Sequence, residues 1–156
     1  MTVYHLNVGS NLGDRRDNVS RAVALLCERA AARDVAVSEP VESAPWGYDS
    51  PNSFINVGVT LNSALTPLQL LDLCQAIERE IGSGAHRSKQ GQYLDRIVDI
   101  DIIAAGDTIL HSPRLTLPHP RMHLRRFVLE PMAAVSPDWR HPVTMLTAAQ
   151  MLKTIG

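Results

Sequence analysis

Residues 54–82 read FINVGVTLNSALTPLQLLDLCQAIEREIG. The first third alternates: Ile55, Val57, Val59 and Leu61 occupy every second position, the period of a strand with one buried face. At Thr66 the grammar changes. Thr66-Pro67-Leu68-Gln69 places a threonine N-cap, a proline in the first turn and a glutamine that closes a capping box. Leu70, Cys74, Ile77 and Ile81 then recur at helical spacing, and Gly82 supplies a stop. The stretch is a strand feeding a helix.

Working outward fills in the rest. Upstream, residues 35–43 read as another strand. Ala44-Pro45-Trp46-Gly47-Tyr48-Asp49-Ser50-Pro51, between the two, is too rich in Pro and Gly for regular structure. Val3 to Val8 is a β-prone run stopped by Gly9-Ser10-Asn11-Leu12-Gly13; Asp14 can then cap a helix carrying Val19, Ala22, Val23, Leu26 and Ala30. Downstream, 83–95 is a polar loop, Arg96 to Ile103 a strand, Thr108 to Leu110 a short further strand and 125–135 a helix. Thr147 with Gln150 caps a last short helix. The order β-α-β-β-α-β with a C-terminal extension predicts an α+β, ferredoxin-like core: an antiparallel sheet with helices packed on it, as one domain over residues 1–156.

The chain has 156 residues, 45% hydrophobic and 20% charged, which suits one globular domain and excludes a disordered or collagen-like protein. A net charge of -1 argues against attachment to nucleic acid or membrane by bulk charge. Residues 50–71 are uncharged, but Pro51, Asn52, Asn56, Asn62 and Pro67 interrupt them too often for a membrane span. The start lacks the pattern of a signal peptide, and Cys27 and Cys74 read as reduced core thiols. A cytoplasmic protein is expected.

Chemistry concentrates in two places. In Arg96-Ile97-Val98-Asp99-Ile100-Asp101-Ile102-Ile103 the two aspartates share one strand face while Val98, Ile100 and Ile102 point to the core. Carboxylates whose Cα atoms are roughly 6.5–7 Å apart can converge on a divalent cation, and Mg²⁺ takes one or two of them beside water and phosphate oxygens. The plainer alternative is a solvated acidic face. From His111 to Phe127 the chain has Arg114, Arg121, Arg125 and Arg126 and no acid; thirteen of its fifteen basic residues are arginine, the side chain that matches phosphate oxygens in planar geometry. An acidic pair beside such a stretch fits a magnesium polyphosphate, with His119 as a phosphate donor. Scattered surface arginines are the bland reading. No GxxxxGK[ST] loop is present, and Gly9 to Gly13 can be a tight turn only. Phe54, Phe127 and Trp46 are ordinary core or a set that stacks on a flat heterocycle.

Together these residues resemble the 6-hydroxymethyl-7,8-dihydropterin pyrophosphokinase family of folate biosynthesis. The resemblance is carried by Gly9-Ser10-Asn11-Leu12-Gly13-Asp14, Ser43-Ala44-Pro45-Trp46-Gly47, Phe54-Ile55-Asn56, Ile77-Glu78, Arg96 to Ile102, Leu117-Pro118-His119-Pro120 and Arg125-Arg126-Phe127-Val128-Leu129. It implies a ferredoxin-like fold and transfer of pyrophosphate from ATP, as co-substrate, to the pterin hydroxymethyl group, releasing AMP. By the same resemblance Asp99 and Asp101 hold two Mg²⁺ ions, Phe54 and Phe127 sandwich the pterin, and Asn56 bonds its polar edge. Ser43 and Trp46 contact the pterin through the main chain. Gln75, Arg114, Thr116, His119 and Arg125 match ATP-contacting positions, and Arg96 a loop arginine that closes over the reactants. One departure stands out. The family's Gly-Arg-x-Arg is here Gly82-Ser83-Gly84-Ala85-His86-Arg87, which leaves Arg87, His86 or Lys89 to supply positive charge toward ATP. The rival readings are another Mg²⁺-dependent D-x-D transferase and a catalytically idle ligand-binding module. Small-molecule substrates, no nucleic acid, no membrane and a monomer complete the expectation.

Overall fold

The computed structural model describes residues 1–44, 52–82 and 97–155. Their elements are β1 (Thr2–Ser10), α1 (Arg15–Arg29), β2 (Arg33–Val37), β3 (Val41–Ser43), β4 (Phe54–Ser63), α2 (Pro67–Ile81), β5 (Asp99–Ala105), β6 (Leu110–His111), β7 (Thr116–Leu117), α3 (Arg126–Val135) and α4 (Ala148–Ile155). A 3₁₀ turn, Met122–Leu124, leads into α3. The main sheet is antiparallel in the order β2-β4-β1-β5, with β3 also paired to β4. With β4 and β1 central and β2 and β5 at the edges, this is the expected ferredoxin-like arrangement.

Alternation along the strands separates two cores. Tyr4, Leu6 and Val8 of β1, Val57, Val59 and Leu61 of β4, and Ile100 and Ile102 of β5 are buried against α1 and α2. The buried faces of those helices are Val19, Ala22 and Leu26, and Leu70, Cys74, Ile77 and Ile81. The opposite sheet face meets the C-terminal extension: Ile103 and Ala104 pack with Met122, Val128, Leu129, Met132, Ala148 and Met151. The extension is therefore a second cover for the sheet.

The helix starts are those the sequence encodes. The Asp14 carboxylate accepts from the Asp17 N–H, and Thr66 and Gln69 bond each other's backbone N–H at 3.3 and 2.9 Å. Thr147 and Gln150 repeat that exchange before α4. Four expectations change. The single strand expected over 35–43 is two short strands, because Pro40 brings no N–H to a ladder and the Ser38 hydroxyl takes up the Gly58 N–H instead. The short strand placed at Thr108 to Leu110 is β6, Leu110–His111, which forms a small hairpin with β7. The strand expected from Arg96 begins at Asp99 and extends to Ala105; Arg96 lies outside the described residues. Cys74 is buried as expected, but Cys27 is only half-buried, lining an apolar groove of about 400 Å³ between α1 and the sheet.

Candidate active site

The strand register assembles the site. Gly9 of β1 stands directly opposite Asn56 of β4 on one side and Asp99 of β5 on the other. Two residues back, Asn7 stands between Gly58 and Asp101. Directly opposed residues share a face, and so do residues two apart. Phe54, Asn56, Asp99 and Asp101 therefore all project from one side of the sheet, the side that α3 covers only in part. Both aspartates are half-buried.

Each side chain on this face is held by a local device. Asn56 is buried; its amide donates to the Ser43 hydroxyl at 2.8 Å and to the Val41 carbonyl at 3.3 Å, leaving the amide oxygen for other use. Gly9 makes room: a Cβ there would lie 2.7 Å from the Asn56 Oδ1 and 3.3 Å from the Phe54 ring. The Ile100 N–H, between the two aspartates, donates to the Glu78 carboxylate at 2.8 Å, which ties the acidic strand to α2. Phe127 opens α3, half-buried, with the Arg125 guanidinium 5.7 Å from its ring centre.

His119 follows β7, and its backbone N–H donates to the Ile103 carbonyl at 2.8 Å, which moors the segment to β5. Its Nδ1 accepts from the Arg121 N–H at 3.2 Å. Burial first, and then the charges of Arg125 and Arg121, push its pKa down to about 4. At neutral pH the ring is uncharged, and because Nδ1 accepts, the proton sits on Nε2. On the α2 side the Arg114 guanidinium bonds Asp72 at 2.6 Å and Gln75 Oε1 at 3.1 Å, so two of the expected ATP contacts lie side by side. Thr116, in β7, is half-buried. Trp46, Arg87 and Arg96, with His86 and Lys89, lie outside the described residues.

The donor set fits magnesium. Among the described residues no group of three or more His, Cys, Asp or Glu could enclose a metal, so a closed site of the zinc type is not built there. Two carboxylates on one face leave positions for water and phosphate oxygens, the habit of Mg²⁺. Asn7, Gly9 and Glu78 have structural roles that sequence reading missed. The visible signals were an asparagine within the apolar run of β1 and, for Gly9 and Glu78, their places in the motifs.

The arrangement can be set beside known proteins. The family model described as 7,8-dihydro-6-hydroxymethylpterin-pyrophosphokinase matches residues 5–137. A protein of Porphyromonas gingivalis named 2-amino-4-hydroxy-6-hydroxymethyldihydropteridine pyrophosphokinase is 43% identical over 143 residues, covering 91% of this chain and 95% of that one. A Bacillus subtilis protein of the same name is 37% identical over 133 residues, 85% of this chain and 77% of its own. Among solved structures, the Plasmodium falciparum HPPK-DHPS wild type with pteroate superposes with a TM-score of 0.74 at 14% identity, which speaks for the fold. That match covers 98% of this chain and 42% of the longer one. No helix among the described residues is long and apolar enough to cross a membrane. Sheet order, the shared face of the two aspartates and a family match over most of the length agree: the chain belongs to the 7,8-dihydro-6-hydroxymethylpterin-pyrophosphokinase family.

Proposed function

We propose that this chain transfers pyrophosphate from ATP to the hydroxymethyl group of 6-hydroxymethyl-7,8-dihydropterin, on the sheet face just described. The observation that carries the reading is the register line Asn56–Gly9–Asp99. It brings Asn56 and Asp99 to either side of a single glycine, on one face, which supports a pterin edge and a phosphate group held next to each other.

In this reading the pterin lies between Phe54 and Phe127, with Asn56 bonding its polar edge and Ser43 and Trp46 bordering it. Gln75, Arg114, Thr116, His119 and Arg125 hold the nucleotide, joined by Arg87 and Arg96. Asp99 and Asp101 hold two Mg²⁺ ions, which supply Lewis acidity to the phosphate oxygens and lower the pKa of the attacking hydroxyl. The pterin oxygen attacks the β-phosphorus in line, the bond from β-phosphorus to the α–β bridging oxygen breaks, and AMP leaves with that oxygen. Most of the barrier falls by positioning and charge stabilisation. His119 contributes a neutral N–H to a phosphate oxygen, and the arginines offset the charge that spreads over the transferred group. In this reading the working unit is one chain, in the cytoplasm.

Incubating the protein with Mg-ATP, with and without hydroxymethyldihydropterin, tests the reading. AMP should form only with the pterin present. Asp99→Ala and Asp101→Ala should each lower turnover more than a hundredfold, the scale of removing an electrostatic stabiliser at about 3 kcal/mol, with the melting transition retained. Near-normal turnover in either folded variant would refute the metal role.

A further inference from the structure

The strand floor of the site holds one buried amide that the proposed chemistry does not use. Asn7 is 3% exposed and faces the same side as Asp101 and Gly58. In an α-helix the carbonyl of residue i accepts from the N–H of residue i+4. For Phe127 that residue is Pro131, inside α3, which has no N–H to give. A carbonyl deprived of its donor in a packed setting is destabilising. Asn7 Nδ2 donates to the Phe127 carbonyl at 3.0 Å. The strand thus supplies the hydrogen bond that the proline removes, and it does so at the residue whose ring opens the site. Beside it Gly58 leaves space for the same proline, since a Cβ at Gly58 would approach the Pro131 Cβ to 2.7 Å.

We propose that Asn7 is a positioning residue for the pterin: its side-chain amide replaces the missing N–H of residue 131 and fixes the first turn of α3, and with it the Phe127 ring, at the separation a flat substrate needs. The inference rests on the stacking role proposed for Phe127. It assigns to β1 a part in substrate affinity that lies outside the motifs of the site.

The test measures the Kd of hydroxymethyldihydropterin in the presence of a non-hydrolysable ATP analogue, and the Kd of the analogue alone. Asn7→Ala should weaken pterin binding about tenfold, the worth of one net hydrogen bond, and leave the analogue's Kd unchanged. Adding Pro131→Ala to Asn7→Ala restores a backbone N–H at that position and should recover most of the loss. A general loosening of the fold would not be mended that way. Equal losses for both ligands, or no recovery in the double variant, would overturn the proposal. If Asn7→Ala does not fold, Asn7→Ser, whose hydroxyl falls short of the carbonyl, is read in its place with the same outcomes. Phe127→Ala separates the two claims. Weakened pterin binding in Phe127→Ala with none in Asn7→Ala overturns the Asn7 role alone; unchanged binding in Phe127→Ala removes the stacking role, and the inference with it.

Discussion

Gly9 shows how much a residue without a side chain can decide. Its neighbours across the ladder are Asn56 and Asp99, and the Cβ of any other residue would intrude on the Asn56 amide oxygen and the Phe54 ring. Asn56 cannot yield freely, because Ser43 and Val41 hold its other end. Gly9→Ala should therefore raise the KM for pterin at least about tenfold, since displacements well under 1 Å already cost alignment, while the KM for ATP stays near the parent value. Steady-state kinetics with each substrate varied would show it; a parallel rise in both would point to general damage. The aspartates were legible from alternation alone, because the period of a strand fixes their common face. The role of Gly9 was not: in sequence it looks like the start of a turn, and only the cross-strand partners reveal what it makes room for.

At the level of elements, the helix starts were the most legible features, because a cap involves residues three apart and needs no distant partner. Thr66 and Gln69 close their box as the sequence predicts. Thr66→Ala should lower stability by about 1 kcal/mol, equivalent to about 3 °C in Tm for a chain of this size. Turnover below the melting range should not change, since the cap lies at the other end of α2 from Glu78. Thermal scans and an activity assay on one preparation would check both. Helix α3 is the opposite case. Its apolar spacing is readable, but Pro131 leaves a backbone acceptor that only β1 can satisfy, and Asn7 is more than a hundred residues away in sequence. The strand expected over 35–43 differs for a local reason: Ser38-Glu39-Pro40 interrupts its β-prone residues, and Pro40 has no N–H to give a ladder.

Among the described residues, buried His5 and half-buried His119 are both held in uncharged form. His5 lies between β4 and the end of α3, its Nδ1 3.3 Å from the Thr60 hydroxyl and 3.2 Å from that of Ser136, and burial pushes its pKa down to about 3. His119 is held at about 4, by burial and then by Arg125 and Arg121. Both values lie below the unfolded one of about 6.5, so in acid the unfolded chain binds protons that the folded chain refuses. Stability is therefore full above pH 6.5 and falls on acidification, through about pH 4 for His119 and about pH 3 for His5, each contributing a slope of about 1.4 kcal/mol per pH unit. His5→Gln should make the acid slope shallower by one such increment in denaturant titrations. An unaltered slope would show that His5 is not a source of the acid sensitivity. The ring joins two layers: it is on the central strand, and its hydroxyl partners belong to β4 and the extension.

By itself the sequence determined the order of elements, the capped helix starts, the face on which Asp99 and Asp101 lie, and the residues that mark the family. All of these are set by spacings of two, three or four residues, where covalent geometry leaves little choice. The tertiary structure alone decided which glycine lies under Asn56, which carboxylate anchors the acidic strand, and which side chain replaces the donor that Pro131 lacks. Those pairings join residues far apart in the chain, and no local period encodes them. They exist because a buried polar group must find a partner, and packing determines which one is within reach.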